Sequence, residues 1–186
     1  MMTLLLIAAS SINAGQCAFQ MTCVRGKQAI VMDFKSPSGD CTEDDMQATL
    51  TVGSQSAAIG FPPEWYSPLV HMLKTPTDCR DKDEAVAGYF LDESHLLFFL
   101  TSSCRPGFDN VIAALVSVKE KKLLQSIDLG KSKETLIPIL KTAHGFKLRV
   151  VREHLAEVQC DCSAGFFDDW LEVRFVKNKL TSSWMK

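Results

Sequence analysis

The sequence contains none of the short motifs that mark common active sites. It has no HExxH zinc motif, no GxSxG nucleophile turn, no phosphate-binding P-loop and no glycine-rich dinucleotide fingerprint. Its four histidines are scattered along the chain, at His71, His95, His144 and His154. We therefore predict no catalytic residue, and an enzyme activity would need a site assembled from distant parts of the chain.

The acidic segment 40–45 comes nearest to a metal-binding motif. Asp40 and Asp44 have the spacing of early ligands in a calcium loop. Such a loop needs glycine at its sixth position and glutamate at its twelfth, where this chain has Asp45 and Thr51. The segment is therefore interpreted as a solvated acidic loop, and neither a metal nor another cofactor is predicted.

An excess of charge of one sign is also missing. The 20 Lys and Arg residues nearly balance the 22 Asp and Glu residues, for a formal net charge of -2. Nucleic acids and anionic membranes attract concentrated basic patches, so we expect neither as the main partner. No apolar run reaches the length that spans a bilayer. The absence of Asn-x-Ser/Thr acceptors favours a bacterial periplasm over a eukaryotic exterior.

The N-terminus indicates export. Residues 1–15 contain a short apolar stretch followed by small residues of the kind that precede signal-peptidase cleavage sites. They predict a secretory signal peptide, with a cleavage site that can lie as late as residue 18. The mature protein is therefore expected to be periplasmic or secreted, with no membrane span.

Seven cysteines support export independently, because many cysteines without zinc-ligand spacing are typical of disulfide-bonded exported proteins. We predict that Cys23 pairs with Cys41 and that Cys79 pairs with Cys104, since each pair brackets one loop-rich segment. The Cys-Asp-Cys segment 160–162 places both thiols on the inward side of an alternating strand, which favours half-cystines over a redox pair or soft metal ligands. The disulfide candidates are Cys23, Cys41, Cys79, Cys104, Cys160 and Cys162.

The fold prediction depends on the stretch 87–129. It contains four apolar runs of strand length separated by short polar or Pro/Gly breaks, which predicts antiparallel strands. The run 96–100 does not alternate, so we expect both of its faces to be covered. The whole pattern predicts a mainly β protein with sandwich- or barrel-like packing of antiparallel sheets and one short helix. A small β-propeller is the alternative, because 87–129 has the length of one blade.

The remaining elements complete this prediction. The short helix is expected to begin at Ser67–Pro68, an N-cap followed by a proline at the first helical position. Alternation at 146–150 and 171–175 predicts strands with one wet face. We thus expect a single all-β domain over 19–178 and a loosely held tail over 179–186.

Surface recognition has better support in the sequence than catalysis. Aromatic side chains near rigid turns, and basic side chains on a wet sheet face, are features of protein interfaces, although aromatic residues also pack cores. The candidate binding residues are Phe61, Trp65 and Tyr66 around a Pro-Pro turn, Arg105 and Phe108 in the loop after Cys104, and Lys147 and Arg149 on the wet face.

These observations predict an exported, disulfide-stabilised protein that binds another protein without catalysing a reaction, as a periplasmic inhibitor or immunity protein does. One alternative is an exported hydrolase, or a thiol or metal enzyme, that uses Cys160, Cys162, Asp168 or Asp169. Another is a carbohydrate-binding or structural component of the cell envelope. No motif decides among the three, because a β scaffold can carry many functions.

Overall fold

The structure is a computed structural model that describes residues 18–36, 47–60, 67–68, 77–81, 84–105, 108–132, 139–152 and 167–185. These residues form strands and turns, with no helix among them. The strands are β1 (Ala18–Arg25), β2 (Gln28–Lys35), β3 (Gln47–Val52), β4 (Gln55–Ile59), β5 (Ser67–Pro68), β6 (Cys79–Asp81), β7 (Glu84–Val86), β8 (Gly88–Phe90), β9 (His95–Arg105), β10 (Phe108–Ser117), β11 (Lys122–Ser132), β12 (Ile139–Thr142), β13 (Gly145–Arg152), β14 (Phe167–Val176) and β15 (Lys179–Trp184).

The strands form two antiparallel sheets. The six-stranded sheet has the order β4-β3-β2-β1-β6-β7. The nine-stranded sheet has the order β15-β14-β13-β11-β10-β9-β5, with β8 paired to β9 and β12 paired to β13. The mainly β, antiparallel prediction is therefore confirmed.

One hydrophobic core lies between the two sheets. The inward side chains of the six-stranded sheet pack against one side of β8, β9 and β10, so the sheets meet face to face as in a sandwich. The largest fully buried members of this core are Met21, Ile30, Met32, Phe34, Leu50, Leu96, Phe98 and Leu100.

A second core lies on the opposite side of β9 and β10. Strands β12 to β15 contribute side chains to it, so the nine-stranded sheet folds back over its own central strands. The ring of Phe146 packs against Tyr89 and Phe99, with centroid distances of 4.6 Å and 5.6 Å. The Tyr89 hydroxyl is buried with no hydrogen-bond partner within the described ranges. Burial raises the pKa of Tyr89, and the negative charge of Asp78 raises it further, so the phenol stays neutral.

Strand β9 is covered on both faces, as its unbroken apolar run predicted. Leu96, Phe98 and Leu100 point into the core between the sheets. The residues between them, Leu97 and Phe99, point into the second core. All five are at most 1% exposed, which places β9 at the centre of the molecule.

Short turns set the register of the outer hairpins. Gly53 opens the β3–β4 turn with a φ of 60°, a left-handed conformation that glycine adopts without steric cost. The β14–β15 turn has Lys177 and Asn178 at φ values of 51° and 62°, as a two-residue turn with two left-handed positions requires.

The prediction that a helix begins at Ser67–Pro68 is wrong. Ser67–Pro68 forms β5, which pairs with Leu100 and Thr101 at the edge of the nine-stranded sheet. Proline is compatible with an edge strand because its missing N–H can face away from the ladder. The local N-cap signal was therefore outweighed by pairing with a distant strand. Residues 69–76 lie outside the described residues.

The C-terminal segment is a strand rather than a loose tail. Lys179–Trp184 pairs along its length with β14, and Leu180 is buried in the second core. The Gln125 side chain also donates to the Leu180 carbonyl at 3.0 Å and accepts from the Leu180 N–H at 2.8 Å. This bidentate contact joins β11 to β15, which explains why a polar segment near the chain end is held in place.

The structure corrects the predicted cysteine pairing. Cys23 forms a disulfide with Cys79, not with Cys41, and Cys79 is therefore not paired with Cys104. The reason is sheet register, since β1 and β6 are neighbours and the two cysteines lie directly opposite each other with Cα atoms 3.9 Å apart. The bridge is fully buried beside Gly88, where an added Cβ would clash with Cys79 Sγ.

Candidate functional site

A cleft of about 450 Å³ opens where three hairpin ends meet. They are the end of β8, the turn between β12 and β13, and the end of β14 beside its turn into β15. The cleft lies at the rim of the second core, because Phe146 belongs to both. Its lining residues are Phe90, Leu91, Lys141, Thr142, Ala143, His144, Gly145, Phe146, Arg174, Phe175 and Val176.

The floor of the cleft is apolar and firmly held. Phe90 and Phe146 are only 7% and 3% exposed. The backbone N–H of Phe90 donates to Asp78 Oδ2 at 2.8 Å, which fixes the end of β8. The guanidinium of Arg25 lies over the Phe90 ring, 5.9 Å from its centroid, and adds a positive charge behind the floor. This rigid apolar surface can accept an apolar side chain from a ligand with little reorganisation.

The rim of the cleft is cationic. Lys141 in β12 and Arg174 in β14 supply the positive charges, and the His144 imidazole lies between them in the β12–β13 turn. Arg174 Nη2 donates to Glu172 Oε2 at 2.6 Å, and this hydrogen bond lowers the pKa of Glu172. The charge of Lys147 lowers that pKa further, so Glu172 is ionised at neutral pH and is surrounded by basic groups. The rim therefore favours an anionic ligand group over a cationic one.

A histidine and an aspartate stabilise the loop beside the cleft. Asp92 Oδ1 accepts hydrogen bonds from the backbone N–H groups of Ser94 and His95, at 2.7 Å and 2.8 Å. His95 Nδ1 lies 2.8 Å from Asp92 Oδ2, and the His95 ring packs on Phe175 with centroids 5.1 Å apart. Burial tends to raise the pKa of Asp92, but these hydrogen bonds and His95 outweigh it, so the pKa lies below its usual value. The pair thus orders the β8–β9 turn and positions Phe175.

The outward face of β13 and β14 continues the basic rim. Lys147 and Arg149 alternate with the buried Leu148, so both point away from the second core. Lys147 lies opposite Glu172, and Arg149 lies opposite Trp170. The structure therefore places these two predicted binding residues on one face, as expected, and next to the cleft. We call Lys147, Arg149 and Arg174 the basic face.

The other predicted binding residues are not brought into this site. Phe61, Trp65 and Tyr66 lie outside the described residues. Arg105 and Phe108 are paired across the end of the β9–β10 hairpin, where the structure describes only their backbone. Of the remaining disulfide candidates, Cys41, Cys160 and Cys162 lie outside the described residues, and Cys104 lies in β9 without a described side chain.

Sequence reasoning missed the cleft itself. The alternation at 171–175 predicted a strand with one wet face, and Arg174 lies in that strand. However, Phe90, which forms part of the apolar floor, lies more than 50 residues before the β12–β13 turn in the sequence. Proximity of that kind depends on sheet order and leaves no local signal.

Within the described ranges, no group of three or more His, Cys, Asp or Glu side chains could hold a metal ion, and no helix is long and apolar enough to cross a membrane. Comparison of the chain with family models, with curated protein sequences and with solved structures returned no match.

Proposed function

We propose that the protein is exported and binds another protein through the cleft and the basic face, as an inhibitor or immunity protein does, without catalysing a reaction. The observation that carries this proposal is the composition of the cleft, an apolar floor under a cationic rim. Protein interfaces have this arrangement, with an apolar centre surrounded by polar and charged groups.

The chemistry of the cleft defines the partner segment that fits it. The floor can contact an apolar or aromatic side chain, because the rings of Phe90 and Phe146 line it. The rim and the basic face favour carboxylates next to that side chain, since charge complementarity speeds encounter and fixes orientation. We therefore infer an acidic partner segment with one apolar anchor.

An exposed valine at the mouth of the cleft supports an interface at this position. Val176 is 51% exposed and lines the cleft together with Phe175 and Arg174. Among the described residues, the other exposed large hydrophobic side chains are Val24 and Leu124, and neither lines this cleft. A partner that covered Val176 would remove this apolar surface from water.

The scaffold and the N-terminus support export. A rigid presenting surface follows from the two cores and from the buried Cys23–Cys79 bridge. Disulfides persist in oxidising compartments, which agrees with the signal peptide that residues 1–15 predict. Export and partner binding are therefore compatible parts of one proposal.

The proposal predicts a strong effect of a negative charge at position 176. The partner would first be captured from the envelope of the producing cell with the mature chain as bait, and its dissociation constant would then be measured by calorimetry. Val176→Glu should weaken binding at least tenfold, because it places a carboxylate where the partner's own carboxylates and apolar anchor dock. The loss should shrink as salt is raised.

Val24→Glu is the matched control for this experiment. Val24 is 52% exposed, and its neighbour Cys23 is buried, so Val24 lies on the outward face of the six-stranded sheet. The substitution makes the same change in size and net charge away from the cleft. Equal affinity of the Val176→Glu variant and the wild type would contradict the proposal, and so would equal weakening by both substitutions.

A further inference from the structure

A second depression, of about 280 Å³, lies on the outward face of the six-stranded sheet. It crosses β2, β3 and β4 on the face opposite to the core between the sheets. Every lining side chain can make hydrogen bonds, and none is aromatic or large and apolar. The lining residues are Asp33, Lys35, Gln47, Thr49, Thr51 and Ser56.

Strand register brings these side chains together. Asp33 lies opposite Thr49, and Thr51 lies opposite Ser56. The intervening residues Phe34 and Leu50 are fully buried, so strand alternation directs the polar side chains outward. Groups that are up to 23 residues apart in sequence thus form one continuous polar surface.

Contacts within the surface already orient some of these groups. Gln20, on the neighbouring β1, donates from Nε2 to Asp33 Oδ1 at 2.5 Å. The hydroxyl oxygens of Thr51 and Ser56 lie 2.9 Å apart and share a hydrogen bond. These contacts restrict the rotamers of a carboxylate and of two hydroxyls, which lowers the entropy that a ligand must overcome on binding.

We propose that this depression binds a short neutral glycan. The charges of Asp33 and Lys35 cancel, so the surface has no net attraction for either an anion or a cation. Ammonium, amide and hydroxyl donors lie beside carboxylate and hydroxyl acceptors, and each sugar hydroxyl both donates and accepts. An apolar ligand would gain little here, because the lining provides no large apolar side chain.

This glycan site is independent of the proposed protein-binding function. It lies on the six-stranded sheet, whereas the cleft lies at the edge of the nine-stranded sheet. A protein with both sites would contact a polysaccharide and a protein partner through different faces. Val176→Glu should therefore leave glycan binding unchanged, and failure of either proposal would not affect the other.

The test uses the mature full-length chain and four neutral probes: maltotriose, cellotriose, mannotriose and chitotriose. Ligand-observed and ¹⁵N-correlation NMR titrations would report binding, because a site without aromatic stacking is expected to be weak. At least one probe should shift the resonances of Asp33, Thr49 and Thr51. Asp33→Asn should then lower the affinity about tenfold, since it removes the charge of the acceptor that strengthens hydrogen bonds to sugar hydroxyls.

Two further variants make the test specific. Thr49→Val is nearly isosteric and removes one lining hydroxyl, so it should also weaken binding. Thr181→Val makes the same change at an exposed position on β15, away from the depression, and should bind like the wild type. The proposal is overturned if none of the four probes shifts these resonances, or if Asp33→Asn, Thr49→Val and Thr181→Val all bind as the wild type does.

Discussion

Replacing both Cys23 and Cys79 with alanine should lower the free energy of unfolding by about 4 kcal/mol. The bridge joins residues 56 positions apart, so its loss releases a long loop of the unfolded chain. The two cysteines are also fully buried in the core between the sheets, where the missing sulfur atoms would leave unfilled space. A change of this size is a large part of the stability of an ordinary domain.

The measurement is urea unfolding followed by circular dichroism under non-reducing conditions. Dithiothreitol provides the control, because the difference between wild type and variant should narrow once the wild-type bridge is reduced. A loss below 1 kcal/mol without reductant would show that β1 and β6 do not depend on the bridge. It would also contradict the pairing of Cys23 with Cys79.

Alanine at either Phe98 or Phe99 should lower the free energy of unfolding by about 3–5 kcal/mol. Neighbouring residues of a strand point to opposite faces of the sheet. In a sheet with one wet face, truncation lowers the free energy of unfolding strongly only at the residue that faces the core. Here both side chains are fully buried, Phe98 between the sheets and Phe99 in the second core. Each substitution would therefore open a cavity in a different core.

The neighbours Lys147 and Leu148 on β13 are the matched control pair. Leu148 is fully buried and Lys147 points outward, so Leu148→Ala should cost about 2–5 kcal/mol and Lys147→Ala less than about 0.5 kcal/mol. Phenylalanine-to-leucine substitutions at 98 and 99 provide milder variants in case an alanine variant does not fold. A small cost at either phenylalanine, below 1 kcal/mol, would contradict a β9 covered on both faces.

The features that the sequence predicts correctly depend on local patterns. The unbroken apolar run 96–100 predicted a strand buried on both faces, because neither face of such a strand carries polar side chains that could contact water. The alternation of Phe146, Leu148 and Val150 predicted their common inward direction, and all three are buried in the second core. Side-chain direction in a strand follows from its two-residue period alone, and that period is visible in a single sequence.

The three wrong predictions all concern contacts that the local sequence pattern does not show. Ser67–Pro68 has the residues of a helix start, yet it pairs with β9 more than 30 positions away. The segment 179–186 is mostly polar, yet Leu180 inserts into the second core and β15 pairs with β14. Cys79 was assigned to its own loop, whereas the adjacency of β1 and β6 brings it to Cys23.

The candidate site was only partly predictable for the same reason. Lys147 and Arg149 were expected on one wet face, and the structure places them there. The cleft beside them needs the end of β8 to meet the ends of β12 and β14, and this meeting depends on how the nine-stranded sheet folds back. Composition and spacing carry no information about that curvature.

The most direct test of the proposed function is site-specific photocrosslinking at the mouth of the cleft. A benzophenone amino acid would replace Val176 in one version of the chain and Val24 in another, and both would be irradiated in the producing cell. Binding through the cleft should give one adduct at position 176, with an exported protein that presents an acidic segment, and no such adduct at position 24. The same adduct from both positions, or one from position 24 alone, would contradict binding through the cleft.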